Sequence, residues 1–140
     1  MTEPDPLSRP VPVPDEVSEA YWAGAREGRL IITRCPACGH YVHPPQSLCP
    51  RCHDQELVPE QMSGAGTVYS YSVNHLPGVP GFTPPYAVAI IELAEQQELL
   101  TVGNVLDCPV DELEVGMPVR VTFEKLNDEI TLPQWKRQQA

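Results

Sequence analysis

Residues 34–53 read RCPACGHYVHPPQSLCPRCH, and they hold four of the chain's five cysteines. The pairs Cys35-x2-Cys38 and Cys49-x2-Cys52 are separated by ten residues. A C-x2-C turn aims two thiolates at one point, and two such turns complete a tetrahedron around a single ion. Pro36 and Pro50 pre-set the first residue of each turn, and Gly39 supplies the positive φ that follows a second ligand. Four thiolates leave no open coordination position, so the spacing predicts a closed structural site, with zinc as the expected ion. The same geometry suits a rubredoxin-type iron, which makes a one-electron carrier a rival reading. His40, His43 and His53 stand beside the cysteines, but a saturated ion needs none of them as ligands.

Working outward on the N-terminal side, RLIIT runs into the first pair as a short strand. Before it, VSEAYWAGAREGRL reads as one short helix. Ser18 is the expected N-cap, Val17 is placed to staple onto Trp22, Arg26 lies in the last turn, and Gly28 falls just past the end. Trp22 is expected in the core and Tyr21 on a contact surface, because aromatics are enriched where partners bind. Residues 1–17 carry Pro4, Pro6, Pro10, Pro12 and Pro14, which forbid a helix and predict an extended tail, mobile unless a partner holds it.

On the C-terminal side ELV leaves the second pair, and from Gly66 the pattern alternates with period two. Tyr69, Tyr71 and Val73 are assigned to one face, and Ser70, Ser72 and Asn74 to the other. YAVAIIEL, ELLTVGNVL, the Val119/Val121/Phe123 alternation and EITL give four more strands, with Gly103 as a bend and Val110–Leu113 as a short helical stretch. Five strands with one helical interruption fit a Greek-key barrel of the OB type, an open meander being the competing topology. LPGVPGFTPP, between the first two barrel strands, is a stiff loop around Phe82 and a candidate binding element. The expected organisation is a Pro-rich tail (1–17), a helix plus zinc ribbon (18–59), an OB-fold barrel (60–133) and a C-terminal tail (134–140). His75 and Cys108 read as structural, Cys108 as a small buried hydrophobe.

The chain is 140 residues long with a formal net charge of −10. Between Ala20 and His53 four arginines face one acid, whereas from Asp54 onward thirteen acids face four basic residues. Polynucleotide affinity comes mainly from neutralising phosphates, so this acidic surface argues against a nucleic-acid-binding ribbon and barrel. Tyr69, Tyr71 and Tyr86 are the aromatics that such a rival would use. There is no signal-peptide pattern and no apolar run of membrane-spanning length, and paired cysteines in a reducing compartment favour metal. The expectation is a cytoplasmic protein. No triad, phosphate-binding glycine loop or paired acid and base stands out, so no catalytic residue is assigned.

YWAGAREGRLIITRCPACGHYVHPPQSLCPRC, then SGAGTVYSYSVNH, PPYAVAIIEL and GMPVRVTFEKL, resemble the acyl-CoA-associated zinc-ribbon/OB-fold proteins, long filed as a domain of unknown function. The likeness covers about Ser18 to Leu132. Its most specific parts are the YW…GRL helix entry, HPP between the cysteine pairs, and the SGxGTVYSY start of the barrel. The resemblance implies a non-catalytic subunit of thiolase-like enzymes, among them lipid-transfer-protein-like aldolases of steroid side-chain breakdown, and found beside MaoC-type hydratases. It further implies a role in bridging enzymes or holding an acyl-CoA ester, with Cys35, Cys38, Cys49 and Cys52 as metal ligands. In that frame Arg26 and Arg34, in the only basic third, are the candidates for CoA phosphates, and Tyr21 and Phe82 for partner contact. Relatives often carry Arg where this chain has Gln46, which removes one such phosphate contact.

Overall fold

The computed structural model describes residues 9–138. Among them one α-helix precedes two antiparallel sheets. The helix α1 (Glu19–Arg26) is followed by β1 (Ile31–Arg34), β2 (Tyr41–Val42) and β3 (Val58–Gln61), which form a small sheet in the order β2-β1-β3. Then come β4 (Ala65–Asn74), β5 (Tyr86–Leu93), β6 (Leu100–Gly103), a 3-10 turn (Val110–Glu112), β7 (Pro118–Lys125) and β8 (Thr131–Arg137), in the order β6-β5-β4-β7-β8. The two edges of this second sheet curl toward each other. Trp135 N–H donates to Asn104 C=O at 2.9 Å and Leu106 N–H to Trp135 C=O at 2.8 Å, so β8 meets the end of β6 in parallel. That is the strand order of an OB barrel, with the 3-10 turn in the connection between its third and fourth strands. The open meander is excluded by this closure.

Three features differ from the sequence reading. Residues expected to begin a C-terminal tail at Gln134 instead continue β8, and Trp135 is one of the most deeply buried side chains, 1% exposed. A proline at 133 suggests a strand end, but Pro133 sits on a strand with only partial pairing on its far side, where a missing N–H is tolerated. Ser18 stands at the helix N-cap as expected, but its side chain makes no capping bond to the helix, and Asp15 supplies the polar cap. Asp15 Oδ1 accepts from the N–H groups of Val17 and Ser18, and Ser18 Oγ accepts in return from Asp15 N–H, a reciprocal box. Finally, the described part of the Pro-rich tail is held by the barrel itself, since Arg9 pairs with Glu124 at 2.7 Å. Residues 1–8 lie outside the described part of the chain.

One core serves both sheets. Leu30 and Ile32 of the ribbon pack in the same cluster as Met62, Val68, Ala89, Ile91, Leu93, Val119 and Trp135 of the barrel. Burying such side chains contributes about 1.5–3 kcal/mol each, so apolar area fastens the ribbon to the barrel. Gly24 lets α1 approach β1 closely, because a Cβ there would overlap Ile31. The alternation on β4 is interrupted at Tyr69, where a bulge shifts the register from Val68↔Ile91 to Ser70↔Ile90. Val68 therefore points in and Tyr69 is 46% exposed, so Tyr69 does not share a face with Tyr71 as the period-two reading assigned it.

Candidate metal centre

β1 delivers the chain into the first cysteine turn, and two nearly identical turns follow. Cys35 N–H donates to His40 C=O at 2.8 Å and Gly39 N–H to Cys35 C=O at 2.8 Å. In the second turn Cys49 N–H donates to Asp54 C=O and His53 N–H to Cys49 C=O, each at 2.9 Å. Gly39 has φ 78° and His53 φ 65°, so His53 takes the left-handed position that glycine fills in the first turn. Its side chain costs some strain there, but the second turn is as regular as the first.

The four sulfurs lie within 4.8 Å of one another, with Cys35 Sγ and Cys52 Sγ 3.3 Å apart and Cys38 Sγ and Cys49 Sγ 3.7 Å apart. Metal–sulfur bonds of about 2.3 Å to a shared tetrahedral centre place thiolates roughly 3.8 Å apart. The arrangement fits one ion. Cys35 and Cys49 are buried, whereas Cys38 and Cys52 form the outer half. Arg51 N–H points at Cys49 Sγ at 3.4 Å. Burial opposes ionisation of Cys49, but the N–H groups of Cys52 and Arg51 and the adjacent thiols outweigh it and bring Cys49 down to about 7. Cys52 gains from the Asp54 N–H, yet its three thiol neighbours push it up to about 12. A divalent cation would remove this conflict, since it favours thiolate at all four positions.

The surrounding histidines stay out of the ligand set. His53 is exposed and His40 contributes its carbonyl to the first turn. His43 packs against Tyr21, ring centroids 5.3 Å apart, and burial holds it down to about 4, so it is neutral at pH 7. Arg34 is used within the ribbon: Nε donates to Gly39 C=O at 3.0 Å, the guanidinium lies 4.6 Å over Tyr41, and Glu60 is 3.5 Å away. Arg26 is exposed, but Asp15, Glu16, Glu19 and Glu129 line the same hollow.

Tyr21, expected on a contact surface, and Trp22, expected in the core, are both half-buried and line one hollow together. Tyr21 packs against the core and burial pushes its phenol up to about 12, its hydroxyl meeting that of Thr101. Trp22 is half-buried at the rim of two surface hollows. Phe82 folds inward, stacked on Tyr86 at 4.8 Å, while Leu76 and Val79 of the same loop are exposed. His75 is exposed, and Cys108 is only partly buried against the core. Sequence reasoning missed two polar groups that join parts of the fold. Gln96 in the β5–β6 turn hydrogen-bonds the backbone of Tyr41, and Asn104 and Gln134 bond each other beneath the Phe82 loop. Lone Asn and Gln give no periodic signal. The Asp15-x-x-Ser18 pattern did carry one, as a capping box displaced by three residues.

Among the described residues no helix is long and apolar enough to cross a membrane. Two family models cover most of the chain: "ChsH2, rubredoxin-like zinc ribbon domain" over residues 22–58 and "ChsH2, C-terminal OB-fold domain" over residues 59–124. Their junction falls inside β3, one residue before the sequence-based boundary. A probable enoyl-CoA hydratase alpha subunit of Thermomonospora curvata is 38% identical over 95% of this chain, which spans 41% of that protein's length. A DUF35 domain-containing scaffold protein of Methanocaldococcus jannaschii is 32% identical, with 82% of each chain covered. Among solved structures, a chain of the Ltp2-ChsH2(DUF35) aldolase superposes with a TM-score of 0.83 at 35% identity, over 91% of this chain and 98% of that one. The cysteine ribbon, the barrel behind it and these matches together establish that the chain belongs to the ChsH2 family of DUF35 zinc-ribbon/OB-fold proteins.

Proposed function

We propose that this chain is a non-catalytic accessory subunit of a thiolase-like acyl-CoA enzyme, an aldolase or thiolase of lipid or steroid side-chain catabolism. The observation that carries the reading is the likeness to a chain of the Ltp2-ChsH2(DUF35) aldolase along almost the whole of that chain. The names of other relatives point the same way: a 3-oxo-4,17-pregnadiene-20-carboxyl-CoA hydratase alpha subunit of Mycobacterium tuberculosis and a benzoylsuccinyl-CoA thiolase subunit of Thauera aromatica. Each is a component of an enzyme that acts on a CoA ester. The four-thiolate site, assigned to zinc, serves this role by fixing the ribbon rather than by touching substrate.

Partner contact is assigned to the face carrying the Phe82 loop, where Leu76 and Val79 present apolar surface outward. Tyr21 lies beneath that face and shapes it. Of the two candidates for a CoA phosphate, Arg34 has its guanidinium committed inside the ribbon and Arg26 shares its hollow with Asp15, Glu16, Glu19 and Glu129, so the CoA ester is assigned to the partner enzyme. The test is co-expression with a thiolase-like enzyme encoded beside this chain, followed by affinity purification and an assay of that enzyme with and without it. A stable complex and a loss of solubility or activity without this chain are expected. Turnover of an acyl-CoA by this chain alone, or a partner equally soluble and active by itself, would overturn the reading.

A further inference from the structure

Arg9 contacts two parts of the barrel at once. Its Nη1 pairs with Glu124 Oε1 of β7 at 2.7 Å, and its guanidinium lies 5.6 Å over the ring of Phe82 in the β4–β5 loop. The approach requires glycine at 81, where φ is +80° and a Cβ would overlap the backbone of Arg9. Beneath the pair the bonding continues inward. Glu124 Oε1 also accepts from Gln134 Nε2 at 3.3 Å, Gln134 Nε2 donates to Asn104 Oδ1 at 3.2 Å, and Asn104 Nδ2 donates to Ala87 C=O at 2.7 Å. Gln134 is 4% exposed, so this end of the network is fixed by the fold. At the other end, five residues separate Arg9 from the Asp15 capping box. Pro10, Pro12 and Pro14 restrict the backbone between them, and α1 packs onto β8.

Phe82, Tyr86 and Asn104 line two hollows at once. One, of about 490 Å³, is completed by Arg9, Leu106, Cys108 and Val110; the other, of about 390 Å³, by Trp22, Val88, Val102 and Leu132. The stacked Phe82 and Tyr86 rings are the partition between them. We infer that the N-terminal strap is a clasp: Arg9 pins Phe82 in the partition, and release of Arg9 frees the loop and joins the two hollows into one apolar groove. A cation over an aromatic ring and one partly exposed ion pair are individually weak, which suits a contact that opens while the barrel stays folded. The inference does not depend on the accessory-subunit reading, and its test needs no partner.

The test is amide hydrogen exchange on the full chain, wild type against Arg9→Ala, Arg9→Lys and Glu124→Gln, read by mass spectrometry, with an apolar fluorescent dye as a probe of the groove. In Arg9→Ala the amide of Phe82, whose N–H donates to Val79 C=O at 3.3 Å, should exchange severalfold faster, while those of Ala89–Leu93 in β5 keep wild-type protection. Arg9→Lys, which keeps the charge but not the planar group, should fall between, and Glu124→Gln should loosen the loop in the same direction. Dye fluorescence should rise with loop exchange across the series. Unchanged loop exchange in Arg9→Ala overturns the clasp. So does an equal rise across the whole barrel, because Arg9 would then be a general stabiliser. A loosened loop without added dye binding overturns the joining of the hollows.

Discussion

Gln96 holds the backbone of Tyr41 by both of its polar groups: Tyr41 N–H donates to Oε1 at 2.9 Å, and Nε2 donates to Tyr41 C=O at 3.1 Å. Tyr41 begins the outer strand of the ribbon and Gln96 lies in the β5–β6 turn, so a single side chain completes a ribbon edge from the barrel. Replacing it by alanine leaves a half-buried donor and acceptor without partners, which costs about 1–3 kcal/mol. Gln96→Ala should therefore lower the denaturant midpoint with little change in slope. Gln96→Glu keeps the acceptor but sets a carboxylate oxygen against Tyr41 C=O, so it should lose at least as much. Equal midpoints for wild type and Gln96→Ala would show that the clamp contributes nothing.

The metal site makes a second prediction. The closed thiolate set should hold one zinc per chain, measured by elemental analysis of purified protein, and iron or a metal-free folded chain would contradict it. Cys49→Ser removes a buried ligand and should abolish metal retention. Because Leu30 and Ile32 lie in the core cluster of the barrel, loss of the ion should also lower the stability of the barrel. A ribbon that melts while the barrel keeps its wild-type transition would contradict the shared core.

Trp135 supplies a third. It is 1% exposed, and its backbone makes both bonds that close β8 against the end of β6. Trp135→Ala should cost about 3–5 kcal/mol, and truncation after Pro133 should prevent the barrel from folding. Thermal unfolding followed by circular dichroism checks both. A truncated chain with native strand content and a cooperative transition would refute the assignment of β8 to the core.

These sites also show where the sequence was legible. Ligand spacing is a local signal, and two C-x2-C turns can be read without knowing what lies around them. Strand alternation located β4, β5 and β7 for the same reason, because burial on one face imposes period two. It failed at Tyr69, where a bulge inserts one residue without altering the sequence pattern, and at Trp135, where Pro133 and a polar end conceal a strand whose importance is set by closure. The Arg9 and Gln96 contacts join residues 115 and 55 positions apart, and nothing near either residue announces its partner.

Charge gives a fourth prediction. The barrel carries the acidic excess, and the basic third is depleted further because Arg34 is engaged with Glu60 and Tyr41. Fluorescence titration with single-stranded DNA or RNA at physiological salt should show no micromolar binding. Salt-sensitive micromolar affinity would restore the nucleic-acid reading.

Tyr21 gives the fifth, from its burial against the core. Desolvation opposes the phenolate and moves its titration from 10.0 up to about 12, whereas the unfolded chain ionises it near the lower value. The stability tied to the neutral phenol is therefore complete below pH 10 and is lost as pH rises through 12, up to about 2 kcal/mol over that interval. Phenolate absorbance should show a late step from Tyr21, with Tyr41, also raised by desolvation, contributing to the lag. Tyr21→Phe should remove most of that step and flatten the loss of stability between pH 10 and 12. At pH 7 it should cost about 1–3 kcal/mol, since the buried Thr101 hydroxyl loses its partner. If Tyr21→Phe left the phenolate titration above pH 10 unchanged while the chain remained folded, Tyr21 would be facing solvent, and the surface role first assigned to it would be the better one.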